Sequence, residues 1–133
     1  MIGLYLLAAH LVGDYLLQTR WQADGKFGWT DGAMRLRARH CAAYCLPFVP
    51  IAVWQNWSAW GPFRVAYFLM LLWALHFFTD AQRFERTPGE WLVWRRRGTR
   101  RPLPPNPWPS IGLAIDQSLH VVQIAALAAL FLP

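Results

Sequence analysis

The chain lacks most of what marks a soluble enzyme. No serine or cysteine sits in a nucleophile motif, and no glycine-rich loop is present to cradle a phosphate. Nothing therefore points to covalent acyl transfer or to P-loop nucleotide hydrolysis. Cysteine is scarce: Cys41 and Cys45 are the only two. Helical positions four apart seldom meet disulfide geometry, so no cross-linked scaffold is expected and both read as small buried apolar residues. Charged residues are only 15% of the chain. Lysine and arginine are missing from the interior of its long apolar runs, with Arg39 and Arg64 at their ends. No internal sequence repeat is evident.

What is there is apolar. The chain has 133 residues, 56% of them hydrophobic, and nine tryptophans. Its length fits a single domain, residues 1–133. Four apolar runs cover residues 2–18, 40–57, 62–80 and 111–132, each near the ~17–25 residues a spanning helix needs. A soluble domain this small could not hide so much apolar surface. The expected fold is all-α: a four-transmembrane-helix bundle, up-down-up-down. Pro47 and Pro50 should kink the second run, and Trp54, Trp57 and Trp60 at its end suit a membrane interface. Gly61-Pro62 predicts a tight turn into the third run. Residues 22–35, with Gly25, Gly28 and Gly32, read as a loop. In the third connection Thr87-Pro88-Gly89-Glu90 looks like a helix start, followed by Trp91, Leu92 and Trp94. These predict a short interfacial helix, after which Pro102, Pro104, Pro105, Pro107 and Pro109 form an extended connector. The first run lacks a preceding basic segment and a small-residue cleavage site, so it is expected to be a retained helix.

The net charge of +6 could suggest nucleic acid, but its distribution argues otherwise. Arg20, Lys26, Arg35, Arg37 and Arg39 lie between the first and second runs. Arg83, Arg86, Arg95, Arg96, Arg97, Arg100 and Arg101 lie between the third and fourth. Twelve of the thirteen basic residues therefore fall on one side of an alternating bundle. The positive-inside rule puts these long loops in the cytoplasm and both termini outside. The expected partner is the lipid bilayer, and no nucleic acid.

The chemistry lies in the histidines. Each run holds one, and three have an aspartate four residues away: His10/Asp14, His76/Asp80 and Asp116/His120, with His40 standing alone. A spacing of four puts both side chains on one helix face. Each aspartate costs roughly 2.5–3.5 kcal/mol on insertion into a bilayer. With no basic residue inside the runs, a bound divalent cation would compensate best. Imidazole with carboxylate favours zinc, with iron or manganese as alternatives. Seven donors exceed what one zinc takes, so two metals sharing an aspartate or water would also fit. His10, Asp14, His40, His76, Asp80, Asp116 and His120 are the predicted ligands, in the cytoplasmic half of the bundle. Gln18 and Gln117 are predicted to support them.

The motif His10-x-x-x-Asp14-Tyr15-x-x-Gln18, followed by Lys26, resembles the opening of a family of small bacterial and phage membrane proteins catalogued as domain of unknown function 3307. The later His40, His76-x-x-x-Asp80-x-x-Arg83 and Asp116-Gln117-x-x-His120 resemble the same family, in order and over nearly the whole chain. The resemblance implies a multi-pass protein of the bacterial inner membrane and the same polar site, and names no substrate.

Three functions fit these residues. The first is a metal-dependent hydrolase. In it Asp14 or Asp80 takes the proton of a metal-bound water, and Arg83 and Lys26 hold an anionic lipid or another phosphate-bearing substrate. The second is a transporter or channel subunit for a metal ion, protons or a small solute, which would need a homo-oligomer. The third is an accessory subunit of a larger membrane complex.

Overall fold

The structure, a computed structural model, describes residues 1–56, 61–81 and 109–132, without the side chains of 109–112. Trp57, Trp60, Gln82, Arg83, the expected interfacial helix and most of the proline connector lie outside the described residues. Within them every element is helical and no strand occurs. Helix α1 spans Ile2–Leu11, α2 Arg20–Gly25, α3 Asp31–Cys45, α4 Val49–Gln55, α5 Gly61–Thr79, and α6 Pro109–Phe131.

Capping residues explain where the first connection departs from expectation. It is not an open loop. Thr19 and Gln22 form a reciprocal capping box that starts α2, with the Gln22 N–H donating to Thr19 Oγ1 at 3.2 Å. Thr30 Oγ1 accepts from the Ala33 N–H at 3.3 Å and starts α3. That helix begins nine residues before the predicted apolar run, so Arg35, Arg37 and Arg39 ride on it. Only residues 26–30 remain as a true bend.

Pro47 and Pro50 divide the second run as anticipated. The helix tightens into a 3-10 turn, Leu46–Phe48, before α4 resumes, because proline offers no N–H to the ladder. In the first run the opposite distortion occurs. Val12–Leu16 is a π-helical turn, closed by the Leu17 N–H donating to the Val12 carbonyl at 3.0 Å. Wide turns of this kind often sit at functional positions, and this one contains Asp14.

Two helices, α5 and the Leu113–Phe131 stretch of α6, are long and apolar enough to cross a membrane. The first run forms a shorter apolar helix, Ile2–Leu16, and the second is broken. Only 22% of each long apolar window is buried. Leu4, Leu16, Val122 and Leu130 are likewise well exposed. Apolar side chains thus cover much of the outside.

Helix α5 packs against α3, α4 and α6, and α1 against α6. The apolar core joins Leu6, Phe48, Phe68, Leu72, Ile124 and Leu127. On α1 and α5 these residues precede the histidine in sequence. On the α3–α4 and α6 segments they follow it. Alternating helix directions produce that reversal, and it sorts the interior into an apolar end and a polar end.

Gly13 sets how closely the first run approaches α3. A Cβ there would lie 2.5 Å from Tyr44 Cδ2 and 3.1 Å from the Tyr44 carbonyl oxygen. Gly13→Ala is therefore expected to push the helices apart and to destabilise the fold by about 1–3 kcal/mol, the usual cost of overpacking. A thermal melt in detergent checks this; an unchanged midpoint would mean the two elements do not touch this tightly.

Candidate metal centre

All four histidines and Asp80 are essentially fully buried, Asp14 is nearly so, and the side chains meet at the polar end. The π turn aims Asp14 into the middle. Asp14 Oδ1 lies 3.3 Å from His40 Nε2 and 3.3 Å from His76 Nε2. Asp80 Oδ2 lies 3.3 Å and 3.4 Å from the same two nitrogens, which are themselves 3.0 Å apart. The other oxygen of Asp14 faces His10 Nδ1 at 3.5 Å and His120 Nδ1 at 3.7 Å. His120 Nδ1 is also 3.7 Å from Asp116 Oδ2, and its Nε2 is 3.9 Å from Asp80 Oδ1. The structure thus brings all seven predicted ligands into one constellation. Several subsets, including Asp14/His40/His76 and Asp80/Asp116/His120, have ligand atoms close enough together to hold a metal ion.

The walls are built from α3. Tyr44 stacks on the His76 ring, with centroids 3.7 Å apart and planes within 11°, and its hydroxyl meets His10 Nδ1 at 2.9 Å. His10 Nε2 is 3.0 Å from Gln117 Oε1. With the carboxamide oxygen facing it, Nε2 donates and Nδ1 accepts from the tyrosine. The Gln117 amide nitrogen turns towards Asp116 Oδ2 at 3.3 Å and Asp14 Oδ2 at 3.5 Å. Gln117 therefore supports the cluster as expected. Gln18 is different: its Nε2 is buried without a hydrogen-bond partner. Cys41, fully buried, offers a sulfur in a further group with His76 and Asp80. Both cysteines are free.

One sequence-based expectation is corrected here. The apolar runs hold no basic residue, yet the site does. Lys26 enters from the bend, is 8% exposed, and donates to Asp80 Oδ2 at 2.8 Å. Arg37, fully buried, donates from Nη1 to the carbonyls of Lys26 and Gly28, both at 2.8 Å. Its guanidinium lies 4.2 Å from the Phe77 ring centroid and 4.9 Å from that of Trp29. Gly28 takes a left-handed φ of 83°, which lets the bend fold back, and its N–H reaches the Ala81 carbonyl at 3.4 Å. The signal for Arg37 was in the sequence: it precedes His40 by three positions and so shares its face. Nothing local announces that Lys26 reaches a carboxylate 54 residues away.

Orphaned atoms complete the picture. Among the described residues, Asp14 Oδ1 and both ring nitrogens of His120 are buried in the cluster without a hydrogen-bond partner. Buried polar atoms are normally satisfied, and these face the space between the donors, where a ligand would satisfy them.

Residues 2–133 match the family described as "Protein of unknown function (DUF3307)", and the chain belongs to it. No curated protein and no solved structure matches the chain.

The Lys26–Asp80 pair is buried, so removing one partner strands the other. Lys26→Met in metal-free protein is expected to cost about 3–5 kcal/mol, and Asp80→Asn in the same chain should recover a large part. Strictly additive effects in a double-mutant cycle would show that the two are not coupled.

Proposed function

We propose that this chain is an integral membrane protein that holds a divalent cation, zinc in the first instance, and uses it to activate water for hydrolysis. One observation carries the reading. His40 Nε2, His76 Nε2, Asp14 Oδ1 and Asp80 Oδ2 are separated by 3.0 to 3.4 Å along the five edges given above. Four ligands about 2.0–2.1 Å from a tetrahedral zinc stand roughly 3.3 Å from one another. Asp14 and Asp80 each complete, with His40 and His76, a triangle of the size of one face of such a shell.

Charge supports the same conclusion. Asp14, Asp80 and Asp116 bring three negative charges, and Lys26 and Arg37 two positive ones. The cluster is left with a net negative charge, which a bound cation would answer. Neutrality matters because unpaired charge is costly both in protein interiors and in lipid.

In this reading His40, His76 and Asp14 bind the metal, and Asp80 stands at the fourth vertex. A catalytic zinc keeps one position for water and would lower the pKa of that water towards neutrality. Water could take the fourth vertex only with Asp80 Oδ2 displaced from it; the carboxylate beside the water, held by the Lys26 ammonium, would then be the proton acceptor. His10 engages both ring nitrogens elsewhere and orients the walls through Tyr44 and Gln117.

The membrane setting rests on α5 and α6, whose apolar windows are mostly unburied. A soluble core helix buries its apolar face; these present theirs outward, as helices in lipid do. If all four runs cross with the basic loops on one side, the site would lie in the cytoplasmic half. The substrate would be an anionic lipid or another phosphate ester, with Arg83 as a further contact. A second reading, transport or structural binding of the cation, draws on the same geometry: with Asp80 as a true ligand, four protein donors close the shell, as in non-catalytic zinc sites.

Elemental analysis of protein purified without chelator or polyhistidine tag should find at least one zinc per chain, and His40→Ala and His76→Ala should abolish it. Less than half an equivalent in the parent protein would sink the proposal. Asp80→Asn separates the two readings. Retained zinc with hydrolysis lowered by 100-fold or more, in line with loss of a general base, favours the enzyme. Lost zinc favours the closed site.

A further inference from the structure

The zinc group uses one oxygen of Asp14 and leaves unexplained the most anomalous residue of the cluster. His120 is 1% exposed, and among the described residues neither ring nitrogen has a hydrogen-bond partner. An imidazole in that state forgoes two hydrogen bonds in a dry interior, which is unfavourable unless something else engages it. Its surroundings are anionic. Asp116 Oδ2 and Asp14 Oδ2 each lie 3.7 Å from Nδ1, and Asp80 Oδ1 lies 3.9 Å from Nε2. The Gln117 amide is a neutral donor turned on both Asp116 and Asp14, at 3.3 and 3.5 Å. Lys26 is committed to the other oxygen of Asp80. Two carboxylate oxygens therefore converge on His120 Nδ1, with a third across the ring at Nε2, and among the described residues no cation is paired with any of the three.

We infer that Asp116 and His120, with the second oxygen of Asp14, form another cation site beside the zinc site, selective for a harder divalent ion such as manganese. The inference rests on the zinc reading, because Asp14 then bridges the two ions, Oδ1 to one and Oδ2 to the other. The donor sets differ in kind. The first group has two nitrogens and two oxygens at 3.0 to 3.4 Å. The second has one nitrogen and two oxygens and is wider, each oxygen 3.7 Å from His120 Nδ1. Oxygen-rich, roomier sites suit ions that take more ligands and keep some water. A carboxylate shared by two cations sets them about 3.5–4 Å apart, the spacing of two-metal hydrolytic centres. The sequence is consistent with this division. Asp116 and His120 both come from α6, whereas the zinc group draws on the first run, α3 and α5, so the second site can be removed without touching the first except through Asp14.

The test uses the full chain in detergent, stripped by chelation and reloaded with one equivalent of zinc. Manganese is then titrated and its free ion followed by electron paramagnetic resonance. One further manganese per chain is expected in the parent protein, and at least tenfold weaker binding in Asp116→Asn and His120→Ala with zinc retained. Zinc bound without manganese overturns this inference and leaves the zinc reading standing. Failure to take up zinc overturns both. Should the variants fold poorly, the parent protein still decides. Loaded with manganese at both positions it should give an exchange-coupled spectrum, and isolated-ion signals alone would show that no adjacent pair exists.

Discussion

Everything in this molecule depends on placing two carboxylates and four imidazoles in a dry interior, with a third carboxylate, Asp116, at its edge, behind described helices that turn apolar side chains outward. Water cannot answer those charges, so the protein has to. It does so partly with two cations from outside the apolar runs, Lys26 on Asp80 and Arg37 behind the bend that delivers it. Partly it does not do so at all: Asp14 Oδ1 and the His120 nitrogens stay without partners. An arrangement half neutralised by the chain and half left open is one that a metal ion would complete.

The surrounding structure keeps the donors from relaxing away from one another. Gly13 lets the first run press against Tyr44. Tyr44 stacks on His76 and bonds His10. Gln117 ties His10 to the carboxylates from the opposite helix. The two helical distortions serve the same end. The π turn carries Asp14, and the 3-10 turn at Pro47 lets the α3–α4 segment follow the core while α3 stays straight through Arg37, His40, Cys41 and Tyr44. A rigid wall matters because ligand atoms a few tenths of an ångström out of place give up much of a metal's affinity.

His10, Asp14, His40, His76, Asp80, Asp116 and His120 were legible because an ionisable residue in an apolar run stands out, and because a spacing of four fixes which pairs share a face. The helices were legible for the same reason of period and length. The α2 helix was missed because its signal, a Thr-x-x-Gln capping box, is local and was outweighed by nearby glycines. Arg37 was missed as part of the interior, and Lys26 was expected to hold a substrate rather than Asp80, because both lie beyond the apolar boundary, where composition predicts solvent.

By itself, then, the sequence determined the all-helical class, the apolar exterior and the identity of the seven donors, since each follows from residue type and short-range spacing along a helix. Tertiary structure alone decided how the donors divide. Which oxygen of Asp14 faces which histidines, that Lys26 belongs to Asp80, and that His120 is left unsatisfied are relations between helices far apart in the chain. They depend on rotation, register, close approach at Gly13 and the left-handed turn at Gly28, quantities that no local periodicity encodes.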